Sequence, residues 1–153
     1  MVMNKNEIVI RPMGGYDIPQ ILAIEEKSFR HPWNRNKFLE ELVIKKSCSF
    51  VAVPGPGAEE ILGYIIGRHA AEELNIMDLA VAPQRRKQGI GRKLLDHIRE
   101  FARKNGVKSL FLEVRSKNLD AIKLYRTYGF RTYATRKKYY IDDDALLMQA
   151  EII

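Results

Sequence analysis

The sequence predicts one domain of the α/β (α+β) class, with a mixed, mostly antiparallel sheet of about seven strands flanked by about four helices. Short apolar runs with alternating polarity recur along the chain, and longer stretches with helical periodicity separate them. A strand, a helix and a strand follow one another across residues 74–115, which requires a crossover between parallel neighbours. The 153 residues are enough to bury a core without covalent staples, and one domain is expected to span 1–153.

The first three elements lie before residue 47. The run "EIVIRP", residues 7–12, alternates as a strand does. An amphipathic helix follows over residues 18–29, and Asp17 and Gln20 have the spacing of a capping box at its start. After a proline, residues 34–46 have the pattern of a second helix.

Three strands are expected next. The runs "CSFVAV" (48–53) and "EILGYIIGRH" (60–69) flank the segment "PGPGAEE", whose proline and glycine residues favour a turn between them. The run "LNIMDLAVAP" (74–83) is predicted to be the fourth strand of the sheet.

A third helix begins after Gly89 and ends before Gly106, which suits a left-handed helix C-terminus. Its apolar residues form a single stripe: Ile90, Leu94, Leu95, Ile98, Phe101 and Ala102. A fifth strand is predicted over 109–114 and a fourth helix over 119–130, with Asn118 as its N-cap. The strands 131–140 and 145–152 complete the sheet.

Composition limits the function classes. A net charge of +7 suggests an anionic partner, which could be nucleic acid, a membrane surface or a phosphorylated small molecule. No apolar run approaches the length of a membrane span, so no membrane partner and a cytoplasmic location are expected. The single Cys48 excludes an internal disulfide and is expected in a buried strand. The three histidines lack metal-ligand spacing, and no metal is predicted.

The stretch "QRRKQGIGRKLL", residues 84–95, places glycine and positive charge where the third helix begins. Gly89 and Gly91 allow backbone N–H groups to approach a ligand at the positive end of the helix, which favours an anion site. The alternative is an ordinary strand-to-helix turn, because a lone G-x-G occurs often by chance. Neither the third glycine of a dinucleotide fingerprint nor the G-K-[ST] of a Walker loop is present.

Glu113 interrupts an otherwise apolar strand, on the face opposite Leu110, Leu112 and Val114. Burying a carboxylate is costly unless it is paired or used, so two interpretations stay open: an ion pair with Arg115, or catalysis. Tyr125 lies two turns into the fourth helix, where a tyrosine usually belongs to the core.

These pieces together resemble the GNAT superfamily of acyl-CoA-dependent N-acetyltransferases, whose cofactor loop reads Q/R-x-x-G-x-G/A. Here the loop is "RKQGIG", Arg86 to Gly91. The chain is more similar still to the RimI-like branch, which acetylates the N-terminal alanine of a small-subunit ribosomal protein. The narrower resemblance rests on "HPW" (31–33), "LEVR" with Asn118, "LY" (124–125), "GF" (129–130) and "RKKYY" ahead of "DALLM". It extends from about Ile8 to the end of the chain.

The resemblance implies acetyl-CoA as cosubstrate, Glu113 as the base that takes the proton of the amine, and Tyr125 as the acid that protonates the CoA thiolate. It places the acetyl and pantetheine groups on the fourth strand and the pyrophosphate on the glycine loop, with Asn118 on the pantetheine arm. The implied cofactor-binding residues are Leu79, Ala80, Val81, Arg86, Lys87, Gln88, Gly89, Ile90, Gly91, Arg92 and Asn118.

The expected acceptor is the N-terminal peptide of a protein, most simply a ribosomal one, held by Trp33, Tyr139 and Tyr140. Taken singly, each of these aromatics is more typical of core or surface packing than of a binding site. Asp142 to Asp144 could attract a basic peptide or form a solvated turn. Lysine, polyamine or drug acetylation is the alternative among enzymes. An acyl-CoA-binding regulator is the alternative without catalysis, and direct nucleic-acid binding is not expected because the densest basic group sits at one helix N-terminus.

Overall fold

A computed structural model describes residues 8–140 and 142–152. Within this part of the chain seven strands form one sheet, in the order β1-β2-β3-β4-β5-β7-β6. The strands are β1 (Val9–Pro12), β2 (Ser47–Val53), β3 (Gly63–Ala70), β4 (Glu73–Val81), β5 (Ser109–Arg115), β6 (Arg131–Tyr140) and β7 (Asp143–Glu151). The helices are α1 (Ile18–Ser28), α2 (Arg35–Val43), α3 (Ile90–Lys104) and α4 (Leu119–Thr127). The predicted fold class and the predicted order of elements are confirmed, and Glu7, the first residue of the predicted β1, lies outside the described residues.

The sheet is mixed, as predicted. β4 and β5 are parallel neighbours, with Glu73 opposite Ser109 and Ile76 opposite Leu112, and α3 connects them. The pairs β1–β2, β5–β7 and β6–β7 are antiparallel. The crossover across residues 74–115 therefore forms where the sequence placed it.

Residue contacts divide the described chain into two compact units. Unit 1 comprises the residues up to Gly67 together with Asp78–Ile98, and unit 2 comprises Arg68–Met77 and the residues from Arg99 onward. Strands β3 and β4 and helix α3 each contribute residues to both units. That one domain spans 1–153 stays a prediction.

The core of unit 1 is formed by the apolar faces of α1 and α2 with inward residues of β2, β3 and β4. Phe38 of α2 is fully buried and packs edge to face on Tyr64 of β3. Asn34 fixes the start of α2, since its side chain accepts a 2.9 Å hydrogen bond from the N–H of Lys37.

The capping box predicted at the start of α1 is wrong. Asp17 occupies the N-cap position, but its carboxylate makes no cap bond to the helix. It instead accepts two 2.8 Å bonds from the guanidinium of Arg11 and one from the N–H of Gly14. Burial opposes the charge on Asp17, yet these donors lower the pKa of that carboxyl below its usual value. The Gln20 side chain accepts from the N–H of Ile61 rather than closing a box.

Unit 2 has its own core, to which β5 contributes Leu110, Leu112 and Val114. Ile122 and Tyr125 of α4 are buried as well. Strand β6 closes this side of the sheet and is mostly exposed, as a strand at an edge is when only one face is covered.

Candidate active site

The glycine loop of unit 1 follows β4 and leads into α3. Ala80 is buried while Leu79 and Val81 are half-buried, so the end of β4 shows the alternation expected of a strand with one covered face. A single 3-10 turn, Pro83–Arg85, then reverses the chain. Lys87 and Gly89 both have left-handed backbone, with φ of 63° and 80°. Such a backbone turns successive N–H groups toward one concave side, which suits an anion.

Helix α3 starts at Ile90, and the N–H of Lys93 donates to the carbonyl of Gly89 at 3.1 Å. The N–H groups of Ile90 and Gly91 therefore precede the first bond of this kind and have no acceptor within the helix. The positive end of the helix dipole adds to their affinity for an anion. The arrangement supports the predicted anion site rather than a turn without ligand geometry.

The basic residues of the loop divide into two groups. Arg85 is committed to a 2.9 Å ion pair with Glu60, and Arg86 bonds to the Val81 carbonyl and to the Ser28 hydroxyl, so both hold the loop to unit 1. Lys87 and Arg92 are exposed. Both add positive charge beside the turn at Gly89.

In unit 2, Glu113 projects from β5 between the buried Leu112 and Val114, on the opposite face, as the alternation predicted. Its Oε1 lies 3.3 Å from Nη1 of Arg136, one of the residues of β6. Arg115 pairs instead with Asp142 at 2.9 Å. The ion pair of Glu113 with Arg115 is therefore wrong as an interpretation. The carboxylate is half-exposed, and a ligand can reach it.

Tyr125 lies on the buried side of α4 and packs against Phe130 with ring centroids 5.7 Å apart. The prediction that Asn118 caps this helix is confirmed, because its Oδ1 accepts from the N–H of Ala121 at 3.3 Å. Gly129 has φ of 102°, which ends α4 and lets the chain turn back to Phe130. The ring of Tyr125 is fixed by core packing, and this position is consistent with both predicted roles, core tyrosine and acid.

Tyr139 and Tyr140 lie at the end of β6, with rings 5.2 Å apart at nearly a right angle. The guanidinium of Arg115 lies 4.1 Å from the Tyr140 ring, and that of Arg136 lies 5.3 Å from the Tyr139 ring. Burial and the neighbouring Glu113 raise the pKa of Tyr140 above its ordinary value, so it stays a neutral hydrogen-bond donor. Arg136 thus connects Tyr139 to Glu113, while Arg115 connects Tyr140 to Asp142.

The three aspartates after these tyrosines are used within unit 2. Asp142 pairs with Arg115, and Asp144 accepts from the N–H of Lys138 at 2.7 Å, where a positive φ accompanies a register shift in β6. Asp143 is buried and accepts from the hydroxyl of Ser116 and from the N–H of Lys117. The carboxylates therefore shape the β6–β7 connection, which is neither a plain solvated turn nor a free acidic patch.

The structure also shows a polar cluster that the sequence reasoning missed. Glu25 of α1, Tyr64 of β3 and Asp78 of β4 lie inside unit 1, with only 1%, 0% and 8% of their surface exposed. Asp78 occurs in the "LNIMDLAVAP" run with the same parity as Leu74, Ile76 and Ala80, so the alternation placed a carboxyl group inward. That signal was available for Asp78, whereas nothing in the sequence points from it to Glu25.

Trp33 belongs to this part of unit 1. Its backbone N–H donates to Oε2 of Glu25 at 2.9 Å, and its ring packs on Phe38 at 5.2 Å. The Lys37 ammonium lies 4.3 Å from the indole centroid. The structure therefore places Trp33 in unit 1 and Tyr139 and Tyr140 in unit 2.

Residues 8–140 and 142–152 contain no group of three or more His, Cys, Asp or Glu side chains placed to hold a metal ion. None of the helices in this part of the chain has both the length and the apolar character needed to cross a membrane.

Comparison with known proteins gives matches over most of the chain. Residues 18–130 match the acetyltransferase (GNAT) family. The chain is 30% identical to the Escherichia coli K12 protein named [ribosomal protein bS18]-alanine N-acetyltransferase, over 89% of this chain and 92% of that one.

Solved structures agree with that match. The crystal structure of the ribosomal-protein-S18-alanine N-acetyltransferase from Escherichia coli has a TM-score of 0.85 at 30% identity and covers 95% of this chain and 94% of that one. Arabidopsis thaliana NAA60 in complex with acetyl-CoA has the same fold, with a TM-score of 0.84 at 21% identity over 95% of this chain and 98% of that one.

Proposed function

The chain belongs to the acetyltransferase (GNAT) family and is an acyltransferase, and from this premise we propose that it transfers acetyl groups from acetyl-CoA to protein N-termini. The observation that carries the choice of acceptor is the 30% identity, over 89% of this chain, to an enzyme named for acetylating the alanine of ribosomal protein bS18. The proposed substrate is a ribosomal protein that begins with alanine. Such a substrate places the reaction in the cytoplasm.

The residues of the glycine loop fit the anionic part of acetyl-CoA. The N–H groups from Lys87 to Arg92 would bind the pyrophosphate, with the exposed Lys87 and Arg92 side chains adding charge. The backbone of Leu79, Ala80 and Val81 would hold the pantetheine and acetyl groups along the end of β4. Gln88, Ile90 and Gly91 complete the loop, Arg86 ties it to Val81, and Asn118 would contact the pantetheine arm.

Replacing Gly89 by alanine should weaken acetyl-CoA binding. The added methyl group has open space around it, so the cost is the left-handed backbone, which an L-residue adopts with a penalty near 1 kcal/mol or more. Relaxing that strain turns the N–H groups away from the phosphates, and the dissociation constant should rise about tenfold. Titration calorimetry of acetyl-CoA into the variant measures it.

Gly55→Ala is the matched control, since Gly55 also has open space but no left-handed φ. Its acetyl-CoA affinity should equal that of the wild type. If the wild type and both variants bound acetyl-CoA with equal affinity, the glycine loop would not be part of the acetyl-CoA site.

Glu113 is proposed as the base. An amine attacks a thioester only in its neutral form, so a group near it must accept a proton before or during attack. Acetyl-CoA supplies an activated acyl group, and the carboxylate of Glu113 takes the ammonium proton, directly or through one water. The Glu113 side chain, which pairs at the surface with Arg136, is accessible to an incoming ammonium group.

Tyr125 is proposed as the acid that returns a proton to the departing thiolate. A phenol has a pKa near 10 and is protonated at neutral pH, while a thiol with a pKa near 8.5 leaves readily. Core packing against Phe130 holds the phenol ring in one place, which suits a proton donor that must meet one sulfur atom.

An α-amine is the easier acceptor for one carboxylate base. Deprotonation at pH 7 costs about 1 kcal/mol for an α-amine of pKa near 7.8, and about 4.6 kcal/mol for a lysine of pKa near 10.4. Trp33, Tyr139 and Tyr140 are proposed to contact the acceptor peptide. The aspartates 142–144 attract no peptide in this account, because their carboxylates already accept bonds within unit 2.

The proposed function predicts turnover with free α-amines. Acetyl-CoA-dependent release of CoA thiol should be observed with short peptides that begin with Ala, Ser or Met, and should be fastest with Ala. A peptide with a blocked N-terminus and an internal lysine, and spermidine, should give turnover at least about tenfold slower because of the higher pKa of their amines. Thiol release with a colorimetric reagent measures all five.

Preference for the blocked peptide or for spermidine would retain the acyltransferase and overturn the N-terminal acceptor. Binding of acetyl-CoA with no turnover on any amine would favour the regulator instead.

A further inference from the structure

The buried cluster of Glu25, Tyr64 and Asp78 is not used by the proposed chemistry. Glu25 accepts two bonds that point in different directions: Oε1 accepts from the Tyr64 hydroxyl at 2.5 Å, and Oε2 accepts from the N–H of Trp33 at 2.9 Å. The Asp78 carboxyl is hydrogen-bonded to Glu25 as well. One carboxylate thus joins α1, β3, β4 and the chain between α1 and α2.

A hydrogen bond between two carboxyl groups requires a proton on one of them. Burial, followed by the hydrogen bond and charge of Glu25, raises the pKa of Asp78 to about 10, so Asp78 carries that proton at neutral pH. Burial also raises the pKa of Tyr64, which keeps its hydroxyl a donor. Glu25 is therefore the acceptor of all three bonds.

Asp78 has a second partner, because the backbone N–H of Leu79 donates to its carboxyl group. The contacts of Glu25 and Asp78 therefore extend from the N–H of Trp33 to the backbone at Leu79. All of these residues belong to unit 1. One end is the segment 29–34 that joins α1 to α2, and the other end is the part of β4 that precedes the glycine loop.

Burying two carboxyl groups costs desolvation free energy, which suggests that the cluster has a role besides packing. Apolar side chains of similar volume would fill the same space without a desolvation cost. Two of the three buried side chains of the cluster are carboxyl groups, so the cluster is not the arrangement of highest stability. What only the polar groups provide is the link between two backbone segments.

We propose that Glu25 and Asp78, through one shared proton, are positioning residues that fix the Trp33 segment relative to strand β4. The inference rests on the proposed function, in which Trp33 contacts the acceptor peptide and Leu79 lies along the acetyl group. The link sets the place of the acceptor with respect to the acyl donor. Its loss should affect the peptide KM and kcat more than the acetyl-CoA KM.

The sequence offers a direct probe, because Trp33 is the single tryptophan of the chain. Glu25→Gln puts an amide N–H₂ where a carboxylate oxygen accepts, so one of its donors loses its acceptor. Acrylamide quenching of the Trp33 fluorescence should become about twofold stronger, and the KM for an Ala-peptide should rise about tenfold, as expected when a bond to a charged group is lost. The acetyl-CoA KM should stay within about twofold of wild type.

Tyr64→Phe is the matched control, since it removes a donor from Glu25 but leaves the bonds to Trp33 and Asp78 in place. Its quenching and peptide KM should equal those of the wild type. A folded Glu25→Gln protein with wild-type quenching and wild-type peptide KM would overturn the proposal.

A second pair of variants decides the matter if Glu25→Gln does not fold. Asp78→Asn keeps a donor for Glu25 and an acceptor for the Leu79 N–H, whereas Asp78→Leu fills the volume with neither. If Glu25 and Asp78 link the two segments, the Asp78→Asn protein should have the quenching and kinetics of the wild type, and the Asp78→Leu protein should be quenched more strongly. Equal quenching of the two variants would contradict the proposal.

The quenching needs no substrate, so it tests the link even if the wild-type protein acetylates no α-amine. That last result would count against the proposed function alone.

Discussion

Replacing Glu113 by glutamine should lower kcat by at least about 100-fold while leaving the dissociation constant of acetyl-CoA unchanged. Glutamine has the shape of the carboxylate but takes up no proton near neutral pH, so only the acceptance of the ammonium proton is lost. Cofactor affinity is retained because the glycine loop of unit 1 supplies it. Single-turnover kinetics with an Ala-peptide, and calorimetric titration of acetyl-CoA, measure the two quantities.

Glu100→Gln is the control for this substitution. Glu100 is a second carboxylate of unit 2 that is paired with an arginine, at 2.6 Å from Arg103 on the surface of α3. Loss of an exposed pair of that kind has little effect on stability, and kcat should not change. If the Glu113→Gln variant had the kcat of the wild type, Glu113 would not be the base.

Replacing Asp78 by asparagine should stabilise the protein, by an amount that grows with pH. Asp78 has a pKa of about 10 when folded, because of burial and of Glu25, against 3.8 for an ordinary aspartate. Between these two pH values the unfolded chain releases the proton while the folded protein keeps it, so the free energy of unfolding falls as pH rises, by up to about 1.4 kcal/mol per pH unit.

Asparagine resembles the protonated carboxyl group and does not titrate, so Asp78→Asn should abolish this part of the pH dependence. We expect a gain of several kcal/mol at pH 8, on the order of 3 to 5, and almost none near pH 4. The titratable groups that interact with Asp78 are Glu25 of α1, Lys37 of α2 and Tyr64 of β3. Urea unfolding at a series of pH values measures the difference.

Asp96→Asn, an exposed aspartate of α3, serves as the control and should leave the pH dependence almost as it is in the wild type. A wild-type pH dependence in Asp78→Asn would show that Asp78 is ionised inside the fold, and the shared proton would have to be abandoned.

Local patterns predicted the helices and strands of this fold well, because hydrophobic periodicity and turn-forming residues depend on neighbouring positions in the sequence. The parallel pair β4–β5 followed from a strand, a helix and a strand in series, and the exposed side of β5 at Glu113 followed from alternation. Glycine at the start of α3 likewise predicted a backbone that can approach a ligand, and Gly89 has a left-handed φ of 80° there.

Side-chain partners on different strands could not be predicted from local sequence patterns. Glu113 pairs with Arg136 and Arg115 pairs with Asp142, and both of these partners come from more than 20 residues later in the chain, so no local pattern gives the pairing. Asp17 looked like a helix cap, but the guanidinium of Arg11, six residues earlier, competes for the same carboxylate. Asp17 therefore forms charged hydrogen bonds with Arg11 instead of a cap bond to the helix.

The link between Glu25 and Asp78 shows the same limit. The two residues are far apart in the sequence, and each alone looks like an ordinary acid within a helix or a strand. Only the packing of α1 against the sheet in unit 1 brings the carboxyl groups together, and no pattern within either element reports it.

The most direct test of the proposed function uses one peptide that begins with alanine and contains one internal lysine. After incubation with acetyl-CoA and the enzyme, fragmentation of the product in a mass spectrometer locates the added acetyl group. We expect the acetyl group on the alanine amine, with the lysine unmodified. An acetyl group found on the lysine, with a free alanine, would contradict it.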